Sequence, residues 1–322
     1  MKLTKFQQAT VDHVVDRYSN GISRYLVADE VGLGKTVIAG EIIRTLAKES
    51  AADKLVVYYI CNNERVSYQN KSKLSKQCNS VKTKDLRLSM QWPYIDGYKK
   101  SKDKNAIIIS LSPATTFTNI GSEKGYESER GSMIASLGAL RGFFNDKTKK
   151  LRQIPASYKY LNTFLSTGNP LGKIENKLEK IQRKSDDTDA REFQEMRRIL
   201  NDLVLFSLPP DLVVLDEFQN YSSLFRDLKN ESDYGYSLRF LIDKPNTKTL
   251  LLSATPYRMT TKELDSCRLE AYNKNLEGNP SEDQVYGKPF GEFEDLLEFI
   301  LSDADQFQEY KSKVKSGKAK EV

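Results

Sequence analysis

The apolar residues of this chain follow two rhythms. From Phe6 to Tyr18, the positions Phe6, Ala9, Val11, Val14, Val15 and Tyr18 approximate a helical period and predict an amphipathic helix. Five short runs then read as strands: RYLVA from Arg24, KLVVYYIC from Lys54, NAIIISL from Asn105, DLVVLDE from Asp211 and TKTLLLSAT from Thr247. They are almost continuously apolar and rich in Leu and β-branched residues, the pattern of strands covered on both faces of a parallel sheet. KTVIAGEIIRTLAKES, after the first run, reads as a helix, so strand, loop and helix succeed one another there. The fold class expected is α/β, with helices on both faces of a parallel sheet.

Between Ser112 and Pro210 the rhythm changes. TFTNIGSEKGYESERGSM is polar and punctuated by Gly, which predicts a loop around 120–132. GKIENKLEKIQRKSDDTDAREFQEMRRILNDLVLF is charged and helix-prone, and no core strand stands out. Residues 112–210 are therefore expected to be a mainly helical insertion between two sheet strands. Its stretch from Ile174 to Leu203 carries polar and charged residues around most of its circumference, as suits a solvated hairpin or a protein-docking surface. The sheet domain is then assembled from 1–111 and 211–272. Residues 273–322 carry weak helical signals and close on KSKVKSGKAKEV, which reads as a linker.

Composition narrows the class. The chain has 322 residues, 39% of them hydrophobic, enough for a substantial core. No apolar run approaches the roughly 20 residues a membrane helix needs. The N-terminus lacks the apolar region of a secretory signal, so a cytoplasmic location is expected. Cys61, Cys78 and Cys267 are odd in number and scattered, which suits reduced thiols better than disulfides or a zinc site. A formal charge of +6 permits a polyanionic partner without requiring one. The single histidine, His13, lies in the first predicted helix, so proton transfer is expected to fall to other groups.

The chemistry concentrates in three places. YLVADEVGLGKTVIAGEII almost spells a phosphate-binding loop, but Asp29 stands where G-x-x-x-x-G-K-[ST] has its first glycine. A turn containing Gly32, Leu33 and Gly34 before a helix at Thr36 would aim backbone N–H groups and the positive helix end at a phosphate. Lys35 would neutralise phosphate charge and the Thr36 hydroxyl would ligate Mg²⁺. LVVLDEFQNY places Asp216 and Glu217 directly after a strand, one to hold Mg²⁺ and the other to orient or deprotonate water. LLLSATPYR adds Ser253 and Thr255 at the end of a further strand.

The order LTKFQQ, ADEVGLGKT, LDEFQ, SATP resembles the first RecA-like domain of superfamily-two helicases and translocases, over roughly residues 1–270. ADEVGLGKTVIAGEI is most similar to the Swi/Snf-like DNA translocases, in which Asp routinely replaces the missing glycine. The resemblance implies ATP and Mg²⁺ as cofactors. Leu3, Phe6 and Gln7 match the element that reads adenine, and Asp29, Gly32, Leu33, Gly34, Lys35 and Thr36 the phosphate loop. Asp216 and Glu217 match the metal ligand and the catalytic base, while Gln219, Ser253 and Thr255 match the elements coupling hydrolysis to movement. Gln219 departs from the histidine common there. Asn62, Arg65, Asn70, Ser112 and Thr115 fall where the family grips a nucleic-acid strand, double-stranded DNA being the expected track, although Asn62 replaces a usual proline. No second-lobe motif or arginine finger is recognisable, so a partner lobe elsewhere is expected, and weak ATP binding and slow hydrolysis by this chain alone. Local strings also resemble helicase-like proteins of bacterial defence islands, which would imply a role against phage. Two other readings stay open: a nucleotide-gated module that docks a protein through the insertion, and a P-loop ATPase without nucleic-acid contact.

Overall fold

A computed structural model describes residues 3–30, 32–61, 64–84, 87–112, 116, 127–145, 154–155, 157–166, 168–183, 186–218, 240–244, 246–254, 296–297, 299–301, 308 and 312. Helix α1 (Lys5–Ser19) opens on a capping box: the Thr4 hydroxyl accepts from the Gln7 N–H, and the Gln7 side chain accepts from the Thr4 N–H. Strand β1 (Arg24–Ala28) leads to α2 (Lys35–Glu49), then β2 (Leu55–Cys61) and α3 (Glu64–Gln77). A short β3 (Ser80–Val81), a 3₁₀ turn (Ser89–Tyr94), α4 (Ile95–Lys100) and β4 (Ala106–Leu111) follow. Among the described residues, five further helices precede two more strands: α5 (Glu127–Ala135), α6 (Leu137–Asn145), α7 (Lys159–Leu165), α8 (Pro170–Arg183) and α9 (Asp186–Ser207). Strands β5 (Leu212–Asp216) and β6 (Lys248–Ser253) complete a parallel six-stranded sheet of order β1-β6-β5-β2-β4-β3.

Strand β2 shows why the apolar runs are continuous. Its side chains alternate between faces. Leu55, Val57, Tyr59 and Cys61 join the core under α1, α2 and α3, with Val14, Ile38, Ile42 and Leu74. Val56, Tyr58 and Ile60 join the opposite core, beneath the 3₁₀ turn and the later helices. Every residue of β2 is buried, so neither face tolerates a polar alternate.

The five expected strands are present, and β3 is a sixth. Two residues are too few to carry a period. Of the loop expected around 120–132, residues from Glu127 onward form α5. The described part of 112–210 is helical, but it is not polar all round. Ile174, Leu178 and Ile181 of α8, with Phe193, Met196, Leu200, Leu203 and Val204 of α9, are buried in the same core as the sheet. The insertion thus supplies the second helical layer. Leu296 and Phe299, from the stretch expected to carry weak helical signals, also enter that core, and the Arg24 guanidinium lies 4.2 Å from the Phe299 ring centroid.

Two buried carboxylates pin this layer. Glu129 is fully buried and takes a bidentate pair from Arg197, at 2.7 and 2.9 Å, plus the Ser89 hydroxyl at 2.7 Å. Asp202 on α9 accepts the Leu161 N–H at 2.9 Å, capping the start of α7, whose own N-cap residue Tyr158 offers no side-chain bond. Burial lifts the Asp202 carboxyl to about 7, against the backbone N–H groups of Leu161 and Tyr160.

Candidate nucleotide site

The register brings the chemistry to one edge of the sheet. Cys61 pairs with Asp216, Asp216 with Leu252, and Ala28 with Ser253, so β1, β6, β5 and β2 end side by side. The turn after β1 runs through Gly32 and Gly34, at φ +89° and +84°, and α2 begins at Lys35. Left-handed backbone suits glycine. At Gly34 space is short as well: a Cβ would lie 2.7 Å from Gln7 Nε2.

Gln7 is there because its side chain crosses to the loop. Its Nε2 donates to the Leu33 carbonyl at 3.0 Å, while its Oε1 accepts the Thr4 N–H at 3.0 Å. Both ends of the amide expected to read adenine are thus engaged, the oxygen within the cap of α1 and the nitrogen on the loop. Phe6 and Leu33 stand beside it, 50% and 42% exposed. The Lys35 ammonium is buried and donates to the carbonyls of Asp29 and Glu30, at 2.9 and 3.1 Å.

Across the sheet edge, Asp216 is buried and its Oδ2 takes two donors, the Tyr59 hydroxyl at 2.6 Å and Asn70 Nδ2 at 3.0 Å. Burial raises the Asp216 carboxyl above the usual carboxylate range, and neighbouring Glu217 adds to this. The Tyr59 bond and the Lys35 charge pull the other way. Burial and the Asp216 carboxylate keep the Tyr59 phenol protonated far above its ordinary range, so it remains a donor, while a hydrogen bond from Thr36 partly offsets this. Tyr59 thus holds Asp216, one of the two expected metal ligands, and feels the other, Thr36. Glu217 follows with φ +53°, a left-handed backbone unusual for a residue with a side chain.

The remaining expected positions differ in their surroundings. Asn70, expected to grip a nucleic-acid strand, is only 6% exposed and spends its amide on Asp216 and Tyr59, so the strand-contact role does not suit it. Ser112 is buried at the end of β4, Ser253 is buried at the end of β6, and Arg65 is exposed in the first turn of α3. Asn62, Thr115, Gln219 and Thr255 lie outside the described residues, as does Cys267. Sequence reasoning missed Tyr59, although a phenol inside an aliphatic strand needs a polar partner. It also missed the capping box spelled by Thr4 and Gln7.

The donor set fits a nucleoside triphosphate with Mg²⁺. It combines an ammonium, a helix start whose first N–H groups lack intrahelical acceptors, a turn at Gly34 with no room for a Cβ, and a buried carboxylate held by two donors. No helix among the described residues is long and apolar enough to cross a membrane. Residues 1–136 match the family model described as type III restriction enzyme, res subunit, a superfamily-two helicase-like ATPase domain. With the all-parallel sheet, the match agrees with a RecA-like first lobe of that superfamily. No curated protein matches the chain.

Proposed function

We propose, with a superfamily-two helicase-like ATPase lobe as the premise, that this chain binds ATP with Mg²⁺ and hydrolyses it to drive movement on nucleic acid, once a second RecA-like lobe completes the site. Double-stranded DNA is the proposed track. The observation that carries this reading is the sheet edge itself, where the loop after β1 and the end of β5 come together and Asp216 is held there by donors from Tyr59 and Asn70.

Each residue then has a task. Lys35, which donates to the loop carbonyls, would turn to the phosphates of a bound nucleotide, and the N–H groups opening α2 would help to hold them. The Thr36 hydroxyl and the Asp216 carboxylate would hold the metal, which when bound would neutralise charge on the phosphates. Glu217, directly after β5 and in left-handed backbone, would take the proton of the attacking water. Tyr59 and Asn70 fix the rotamer of Asp216 and are positioning residues. Charge on the transferring phosphoryl group still needs a cation from the second lobe, so the single lobe hydrolyses ATP slowly.

The same geometry offers a route for coupling. Asn70 and Arg65 share α3, so a strand held at Arg65 at the start of that helix acts on Asp216 through one rigid element. The test is ATP turnover with and without duplex DNA, single-stranded DNA and RNA, with the second lobe supplied in trans. A polynucleotide that raises a rate abolished by Glu217→Gln supports the motor. A rate that responds only to a protein partner contradicts it.

A further inference from the structure

An open groove of about 1100 Å³ runs along β3, the sheet edge opposite β1. Five strand spacings separate the two edges, about 24 Å at about 4.8 Å each. Helix α3 forms one wall, and the 3₁₀ turn and α4 form the other. Six lysines line it, and among the described residues that do so none is Asp or Glu. Asp103, in the turn between Lys102 and Lys104, does not line it; its carbonyl accepts from Asn79. For a chain carrying only +6 overall, this is a marked concentration of one sign. Lys76, Lys82, Lys84 and Lys102 are exposed.

The groove also carries aromatic faces. Tyr68 and Tyr94 are 51% and 40% exposed, on opposite walls. Tyr94 stacks on Tyr98 at 6.3 Å between centroids, and the Lys84 ammonium lies 5.3 Å from its ring. Tyr98 is itself fixed, donating to Gln91 Oε1 and accepting the Lys84 N–H, both at 3.0 Å. The buried Lys71 donates to the Lys84 carbonyl at 3.0 Å, tying segment 82–84 to α3. Lysines alone guard a sheet edge against pairing with another edge. That role needs no groove, and no tyrosine held open by its neighbours.

The geometry points to a binding site for single-stranded nucleic acid in this groove, separate from the strand-gripping positions expected after β2 and β4. Phosphates lie along Lys76, Lys82, Lys84 and Lys102, and bases stack on Tyr68 and Tyr94. A single strand is specified because a duplex offers its phosphates but keeps its base faces stacked internally. The inference shares with the proposed function its class of partner but not its chemistry.

The test uses the whole chain and a fluorescein-labelled oligothymidylate of about 15 nucleotides, with anisotropy followed across a salt series in the absence of ATP. For the combined Lys76→Gln, Lys82→Gln, Lys84→Gln and Lys102→Gln variant, the slope of log affinity against log salt is expected to flatten by about 2.8, at about 0.7 per phosphate contact. Tyr68→Ala and Tyr94→Ala are each expected to weaken binding about tenfold with the slope unchanged. An unchanged slope in the lysine variant overturns the proposal, as does full affinity in both tyrosine variants. So does equal competition by a duplex of the same length, or by polyglutamate of matched charge, which would make the groove a site for an acidic protein. Because binding is read without ATP, failure here leaves the hydrolysis reading standing, and an inactive ATPase leaves this one standing.

Discussion

Removing one oxygen atom tests the support of Asp216 at the candidate site. Tyr59→Phe keeps the ring in a fully buried position and deletes only the hydroxyl that meets Asp216 Oδ2 at 2.6 Å. A hydrogen bond to a charged group contributes about 1.5–3 kcal/mol. The lower half of that range applies, because Asn70 still donates to the same oxygen at 3.0 Å. The expected loss is about 1.5–2 kcal/mol, read from the urea midpoint at unchanged slope. Asn70→Ala alone is expected to cost about the same. The double variant leaves a buried carboxylate oxygen without either donor, so it should cost at least about 1 kcal/mol more than the sum. Tyr59→Phe within about 0.3 kcal/mol of the unaltered chain, with strict additivity in the double variant, would refute the network as drawn.

Two further outcomes follow from single contacts. Gly34→Ala places a Cβ in left-handed backbone and pushes the Gln7 amide off the Leu33 carbonyl, at an expected cost of about 2–3 kcal/mol. In a Gln7→Ala background the same change should cost only the backbone strain, about 1–2 kcal/mol, and equal costs in both backgrounds would contradict the contact. Asp202 has a folded-state value of about 7, above its ordinary 3.8, so the native state holds its proton more tightly. Stability from this group is therefore full at low pH and is lost as pH rises between those values, with a ceiling of about 4 kcal/mol. Thermal unfolding of Asp202→Asn should show a flatter decline from pH 5 to pH 8 than the unaltered chain; parallel declines would count against it.

The sheet was legible in the sequence because strands buried on both faces have no polar alternate to interrupt them. Strand β2 reads as an unbroken apolar run for that reason. The candidate loop from Gly32 to Thr36 and the Asp216–Glu217 pair stood out in the sequence because each compresses its residues into adjacent positions. The network around Asp216 was not legible, since Tyr59, Asn70 and Asp216 meet only when β2, α3 and β5 pack. Nor was the placement of the insertion. Helix α9 scatters Phe193, Met196, Leu200 and Leu203 among charged residues, and their common face emerges only at helical spacing. Asn70 misled for a related reason: an amide near a strand end reads as a surface contact until its burial is known.

The most direct test of the account is equilibrium binding of a fluorescent ATP analogue, with Mg²⁺, to this chain and to its Lys35→Ala variant. The account expects weak but measurable binding by the unaltered chain and a loss of about tenfold or more in Lys35→Ala, since a charge-assisted phosphate contact disappears. Equal affinity in the two proteins would contradict the assignment of the loop from Gly32 to Thr36 as the phosphate site, and the proposed motor with it.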